Sequence, residues 1–231
     1  MPVAATATRQ KAFLLARPEA RVLDWLARRV PARVLPDHLT ILALLSALGI
    51  AGAYVLSNGD RGWLWAASAL LVVHWLGDSL DGTVARVRRI ERPTYGYYLD
   101  HLADAIATAV IGIGLGLSPY LLLATGMVIV IAYLVLSINT YLETQALGVL
   151  RLGYGRLGPT EARLALIGLN TALALGAPLG FELAGIGLSV LDVVLLCAAA
   201  TMALALAIRA AGTLRTLAAR EPAASPAAAP R

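Results

Sequence analysis

Four aspartates in one short region of this 231-residue chain are the side chains best suited to chemistry: Asp78 and Asp81, three apart, and Asp100 and Asp104, four apart. At those spacings each pair shares one face of a helix. Both pairs fall in apolar runs of membrane-spanning length, where a carboxylate is costly and normally faces a protein interior or a wet cavity. Counted from Trp63, Asp78 and Asp81 arrive about 22–27 Å along their helix, near its far end, and Asp100 and Asp104 lie about one to two turns into the next run, coming back from the same surface. Two antiparallel neighbours would bring all four carboxylates to one depth. Anions gathered there repel unless protonated or neutralised, and an all-oxygen set suits hard cations such as Mg²⁺ or Mn²⁺. Snorkelling at the interface and a proton relay are the competing readings; the spacing favours a metal.

Around the acids, Gly82 and Gly96 let a ligand or a facing helix approach their backbones, and Ala85 is small. Ordinary helix packing would use the same three residues. Arg86 is a fixed cation one turn from Asp81, suited to a diphosphate, to an aspartate or to setting topology. The stretch reads Asp78-x2-Asp81-Gly82-x2-Ala85-Arg86-x9-Gly96-x3-Asp100-x3-Asp104.

That pattern closely resembles the signature of the class I CDP-alcohol phosphatidyltransferase family. The resemblance implies a six-helix membrane enzyme, usually a homodimer, with two divalent cations and a CDP-linked donor bound in a cytoplasm-facing cavity. Asp78, Asp81 and Asp100 match the family's metal-ligand positions, and Asp104 matches the position that is both ligand and general base. Asp78, Gly82, Ala85, Arg86 and Gly96 fall where the family holds its nucleotide, with Ala85 leaving room for the cytosine. The nine-residue connection before Gly96 is at the long end for the family. The implied chemistry is physically coherent: phosphoryl transfer needs a neutralised pyrophosphate and an oriented nucleophile, which paired metals can supply. A base about 3 Å from the acceptor hydroxyl completes it.

Further matches are shorter. Asp37-His38-Leu39-Thr40 after Pro36 resembles the family's approach to its first span, where Thr40 would line the nucleotide site; Asp37 or Thr40 could equally be an N-cap. Tyr141-Leu142-Glu143, Leu150-Arg151-Leu152-Gly153 and Gly158-Pro159-Thr160-Glu161-Ala162-Arg163 are similar to a segment of the choline/ethanolamine phosphotransferase branch. They make Glu143, Glu161 and Arg163 acceptor-side candidates, the alternative being a solvated loop. The lysine-rich loop of the phosphatidylglycerophosphate synthase branch is absent here. His74 and His101 read as packing residues, His101 pointing about 100° away from Asp100. Gly112-x3-Gly116 reads as close helix contact.

The elements that must position these residues are membrane helices. Hydrophobic residues make up 59% of the chain and charged ones only 14%, with a mean hydropathy of +0.75, which excludes an ordinary soluble domain. The expected fold is all-α, a single domain over 1–220, with six spans at Leu39–Leu56, Trp63–Val84, Gly96–Leu117, Tyr120–Leu142, Leu164–Leu183 and Ile186–Ile208. Leu23, Leu26, Val30 and Val34 recur at helical spacing, predicting an amphipathic interfacial helix over 18–35, with a short soluble helix as the alternative. The Ala-, Pro- and Ser-rich tail 221–231 is expected to be disordered. Met1 to Lys11 lacks a secretory-signal pattern, so the first span is expected to direct insertion. Cys197 is the sole cysteine and forms neither an intrachain disulfide nor a cysteine metal cluster. Of the 19 lysines and arginines, all but Arg61 fall at one set of span ends, which predicts both termini and the acids on the cytoplasmic side of an inner membrane. The net charge of +5 then reads as topology and attraction to anionic lipid rather than nucleic-acid binding.

These observations point to an enzyme of phospholipid synthesis that releases CMP from a CDP donor. Transfer from CDP-diacylglycerol to a polar alcohol ranks slightly ahead of transfer from CDP-choline or CDP-ethanolamine to a lipid diol. A cation-coupled transporter predicts internal repeats and a midplane site, neither of which the sequence suggests, and a purely structural membrane protein leaves the four acids without a purpose.

Overall fold

The computed structural model describes residues 15–148, 158–183 and 185–221. Seven helices run in chain order: α1 (Ala16–Ala27), α2 (Pro36–Leu56), α3 (Trp63–Arg88), α4 (Pro93–Gly116), α5 (Leu123–Leu147), α6 (Pro159–Ala174) and α7 (Val190–Arg220), with strands β1 (Gly180–Leu183) and β2 (Ile186–Ser189) between α6 and α7. Among the described residues α2, α4, α5 and α7 are long and apolar enough to cross a membrane. Their outward faces carry large apolar side chains such as Leu45, Leu48, Ile131 and Leu204, each more than half exposed, as a lipid-facing surface requires. α3 is long but carries the first two aspartates and two arginines, and α6, at 16 residues, spans only about 24 Å.

Two apolar clusters bracket the acids. At the end away from them, Ile50 and Tyr54 of α2 pack with Leu64 and Leu71 of α3, Leu115 of α4, Leu173 of α6 and Leu191 of α7. Inside this cluster Tyr54 donates to Asn170 Oδ1 at 3.1 Å, and Asn170 donates to Ser68 Oγ at 3.2 Å, which joins α2, α6 and α3 through satisfied buried groups. On the acid side, Leu23 and Ala27 of α1 pack on Leu39, Leu80 and Val84. α2 and α3 approach tightly at Gly77: a Cβ there would stand 2.6 Å from the Leu39 carbonyl oxygen and 2.9 Å from the Ala43 nitrogen. The Gly112–Gly116 pair does sit at a close helix contact, because a Cβ on Gly126 of α5 would lie 2.9 Å from the Gly112 carbonyl.

The structure departs from the sequence expectation at three places. The interfacial helix predicted over 18–35 stops at Ala27: Pro31 has no N–H and disfavours helical backbone before it. The carbonyls of Val30, Pro31 and Val34 instead accept from the Arg88 guanidinium at 2.8, 3.0 and 2.6 Å. The fifth run, expected to stay helical over Leu164–Leu183, ends at Ala174, where Gly176 adopts φ +91° and turns the chain. The sixth, expected from Ile186, begins as β2 and becomes helical only at Val190. A capping box sets that start: Ser189 Oγ accepts from Asp192 N at 3.2 Å, and Asp192 accepts from Ser189 N at 2.8 Å. The fold is therefore mostly helical, as expected, with one small antiparallel hairpin among the described residues, Gly180 opposite Ser189 and Leu183 opposite Ile186. The hairpin and the α2–α3 and α4–α5 connections surround an open bowl of about 870 Å³ at the end opposite the acids. The Leu150–Gly153 match and the tail after Glu221 lie outside the described residues.

Candidate functional site

The acids meet where α3 and α4 each pack on α2. Carboxylate oxygens of Asp78, Asp100 and Asp104 all lie within 4.8 Å of one another. Asp81 is not in that trio, although it lines the same small cavity together with Thr40, His74 and the other three acids. One Asp81 oxygen accepts from Thr40 Oγ1 at 2.7 Å and the other from Gly82 N at 2.5 Å. Thr40 is buried one turn inside α2 and so is not an N-cap. Asp37 does not cap the helix either; it forms an exposed ion pair with Arg92 at 2.6 Å, and Arg92 lies over the Tyr95 ring.

The remaining candidates divide. Arg163 reaches from α6 to Asp78, 2.6 Å from guanidinium to carboxylate, with both side chains mostly buried. Gly82 is opposed only by the flexible end of Arg86, and nothing stands within 4 Å of a Cβ at Gly96, so both leave space beside the acids. Ala85 is half-buried and Arg86 exposed; the Arg86 guanidinium donates to Thr83 Oγ1 at 3.0 Å. Glu143 is buried and pairs with Arg209 of α7 at 2.5 Å, and it is not among the residues lining the acid cavity. Glu161 accepts from Leu15 N and from Gly158 N, each at 2.9 Å. Its neighbour Thr160 donates to Glu19 of α1 at 2.7 Å. Glu19 also accepts from Trp75 Nε1 of α3 at 3.0 Å, so one carboxylate ties α1 to both α3 and α6.

Two residues read as packing contribute to the site region. His74 is buried on the cavity wall one turn before Asp78, and its Nδ1 meets no hydrogen-bond partner among the described residues. The i, i+4 spacing from His74 to Asp78 was the signal that could have placed it there. His101 packs between the rings of Tyr97 and Tyr141, at 4.1 and 4.9 Å between centroids. Its Nδ1 is 3.3 Å from an Asp100 oxygen without the alignment of a hydrogen bond.

A bundle of long apolar helices with carboxylates converging from the middle portions of α3 and α4 is the arrangement of an integral membrane protein with a polar interior site. The family model for the CDP-alcohol phosphatidyltransferases matches residues 33–207, and the chain belongs to that family. It is accordingly a transferase of phospholipid biosynthesis, acting on CDP-alcohol and alcohol substrates in a membrane, in a metal-dependent family. No curated protein matches the chain.

Proposed function

We propose that this transferase moves a phosphatidyl group from CDP-diacylglycerol to a polar alcohol, with release of CMP, at the cytoplasmic face of an inner membrane. The observation that carries the reading is the convergence of Asp78 of α3 with Asp100 and Asp104 of α4, with Asp81 on the wall of the same cavity. The donor set fits a hard cation. Every candidate ligand atom in the trio is a carboxylate oxygen, and their 4.8 Å limit is close to the roughly 4.2 Å that separates opposite oxygens on one Mg²⁺.

In this reading Asp78, Asp81, Asp100 and Asp104 hold a pair of Mg²⁺ or Mn²⁺ ions, which when bound neutralise the donor's diphosphate and the departing CMP. Asp104 accepts the proton of the acceptor hydroxyl. That oxygen attacks the lipid-linked phosphorus, and the bond from this phosphorus to the CMP oxygen breaks. Thr40 fixes Asp81 through its 2.7 Å hydrogen bond and borders the nucleotide site. Gly82, Ala85 and Gly96 leave the nucleotide room, and Arg86 is the exposed cation available to its phosphates. On the acceptor side Arg163 is the group that reaches the acids, while Glu143 and Glu161 hold the flanking helices.

The basic residues support an arrangement with α2 to α7 as six spans of a single domain, α1 at the interface and both termini cytoplasmic. A homodimer would cover part of the apolar surface. The Thr160–Glu161 pair favours a CDP-choline or CDP-ethanolamine donor by its likeness; in this fold the pair engages α1 and the α6 cap, and transfer from such a donor to a lipid diol is the second reading. A cation-coupled transporter fits less well, since the family model matched over residues 33–207 is one of transferases.

The test is CMP release by purified protein from CDP-diacylglycerol across a panel of alcohols, with Mg²⁺ or Mn²⁺ and then with chelator. Asp104→Asn should abolish release. Activity surviving in that variant removes Asp104 from the role of base, and activity surviving chelation removes the metals.

A further inference from the structure

Among the described residues Arg163 is the one arginine that forms an ion pair with an acid of the converging trio. It comes from a helix that carries none of the four aspartates. Its guanidinium lies 2.6 Å from Asp78 Oδ2. Around Asp78 stand Asp100 and Asp104, with carboxylate oxygens within 4.8 Å, and His74 and Asp81 on the same cavity wall. Arg86, the other nearby cation, is turned back along its own helix toward Thr83.

Arg163 cannot drift freely from this position. It sits one turn past Thr160, and the first turn of α6 is clamped to α1 by the Thr160–Glu19 and Leu15–Glu161 hydrogen bonds, 2.7 and 2.9 Å. Side chains three apart share a helix face, so the clamp that holds Thr160 also aims Arg163 at Asp78.

Resting on the reading of the acids as a divalent-cation site, we propose that Arg163 is the counter-ion of that site: it competes with the cation for Asp78 and thereby sets how tightly the cation is held. A divalent ion that draws on Asp78 must share or displace the guanidinium, and the released cation is then free for an anionic phosphate of the substrate. A charge-assisted hydrogen bond of this kind contributes about ten- to a hundredfold to an equilibrium. Arg163 is thus a positioning residue that weakens metal binding in order to keep it reversible, the reverse of a residue that merely builds the site.

The sign of the effect tests the proposal. Mn²⁺ binding to the full-length protein in detergent, titrated by electron paramagnetic resonance, should tighten by about tenfold or more in Arg163→Gln, and Arg163→Lys should stay near the wild type. Arg28→Gln, which removes an exposed charge on α1, should leave Mn²⁺ binding unchanged. In parallel, Mn²⁺ should raise the melting temperature of Arg163→Gln more than that of the wild type, a comparison that holds even if the variant is less stable at the outset. Unchanged or weaker Mn²⁺ binding in Arg163→Gln, with wild-type binding intact and lost in Asp78→Asn, overturns the counter-ion role alone. No Mn²⁺ binding by the wild type overturns the cation site and this inference together.

Discussion

Substituting Gly77 by alanine should separate packing from chemistry. The added methyl would stand 2.6 Å from the Leu39 carbonyl and 2.9 Å from the Ala43 nitrogen, backbone atoms that cannot rotate away. Ordinary contact needs about 3.4 Å or more, so α2 and α3 must part by about 0.8 Å. Those two contacts bracket Thr40, whose bond to Asp81 is 2.7 Å; the same displacement would stretch it to about 3.5 Å, beyond hydrogen-bond reach. Overpacking of this kind costs about 1–3 kcal/mol, which for a chain of this size lowers the melting temperature by about 2–4 °C for each kcal/mol. The effect on turnover should be larger, since a misplacement of about 1 Å can cost about a hundredfold. The assay is CMP release from CDP-diacylglycerol at saturating Mn²⁺, run beside thermal unfolding of the same preparation. Gly52→Ala, where nothing stands within 4 Å of the new Cβ, is the control and should behave as the wild type. Turnover in Gly77→Ala within twofold of wild type would refute the claim that α2–α3 contact holds the acids in register.

Other perturbations follow from the polar contacts. Arg209→Met leaves Glu143 buried without this cation and should destabilise by about 3–5 kcal/mol, while adding Glu143→Leu should restore most of the loss; equal instability of the single and double variants in denaturant unfolding would contradict this. Tyr54→Phe removes the donor to fully buried Asn170 and should cost about 1–3 kcal/mol, with CMP release per folded molecule unchanged. Glu19→Ala removes the acceptor shared by Trp75 and Thr160, so amide exchange in 16–27 and in the first turn of α6 should accelerate while that of α5 does not.

The acids were legible in the sequence because a carboxylate in an apolar run is conspicuous and the helix repeat fixes which of them share a face. Convergence of Asp78, Asp100 and Asp104 needs one further premise, that the second run returns from the surface where the first ends. The different bonding of Asp81 was not legible, because it depends on Thr40 approaching across the α2–α3 contact that Gly77 permits. Hydropathy also located the helices well wherever they run straight through. It misplaced the α6–α7 junction, since an apolar window does not distinguish a helix from a strand over a few residues. There the information sat in Gly176 and in the Ser189–Asp192 capping pair. Glu161 and Thr160 carried a family likeness in their types; the Glu161–Gly158 cap is local, yet Leu15 and Glu19, which tie the pair to α1, lie more than a hundred residues away, beyond the reach of any local pattern.

The bowl framed by the hairpin has an electrical consequence. Solvent filling it would extend high-dielectric medium down to the level of Leu121 and Leu173, which line its walls. If a bilayer surrounds this end of the bundle, the insulating layer between that solvent and the acid cavity would be thinner than the lipid beside it, and a membrane voltage would drop over a shorter path. Charge that moves at the acid cluster during turnover would feel a steeper field than the thickness of the surrounding lipid implies.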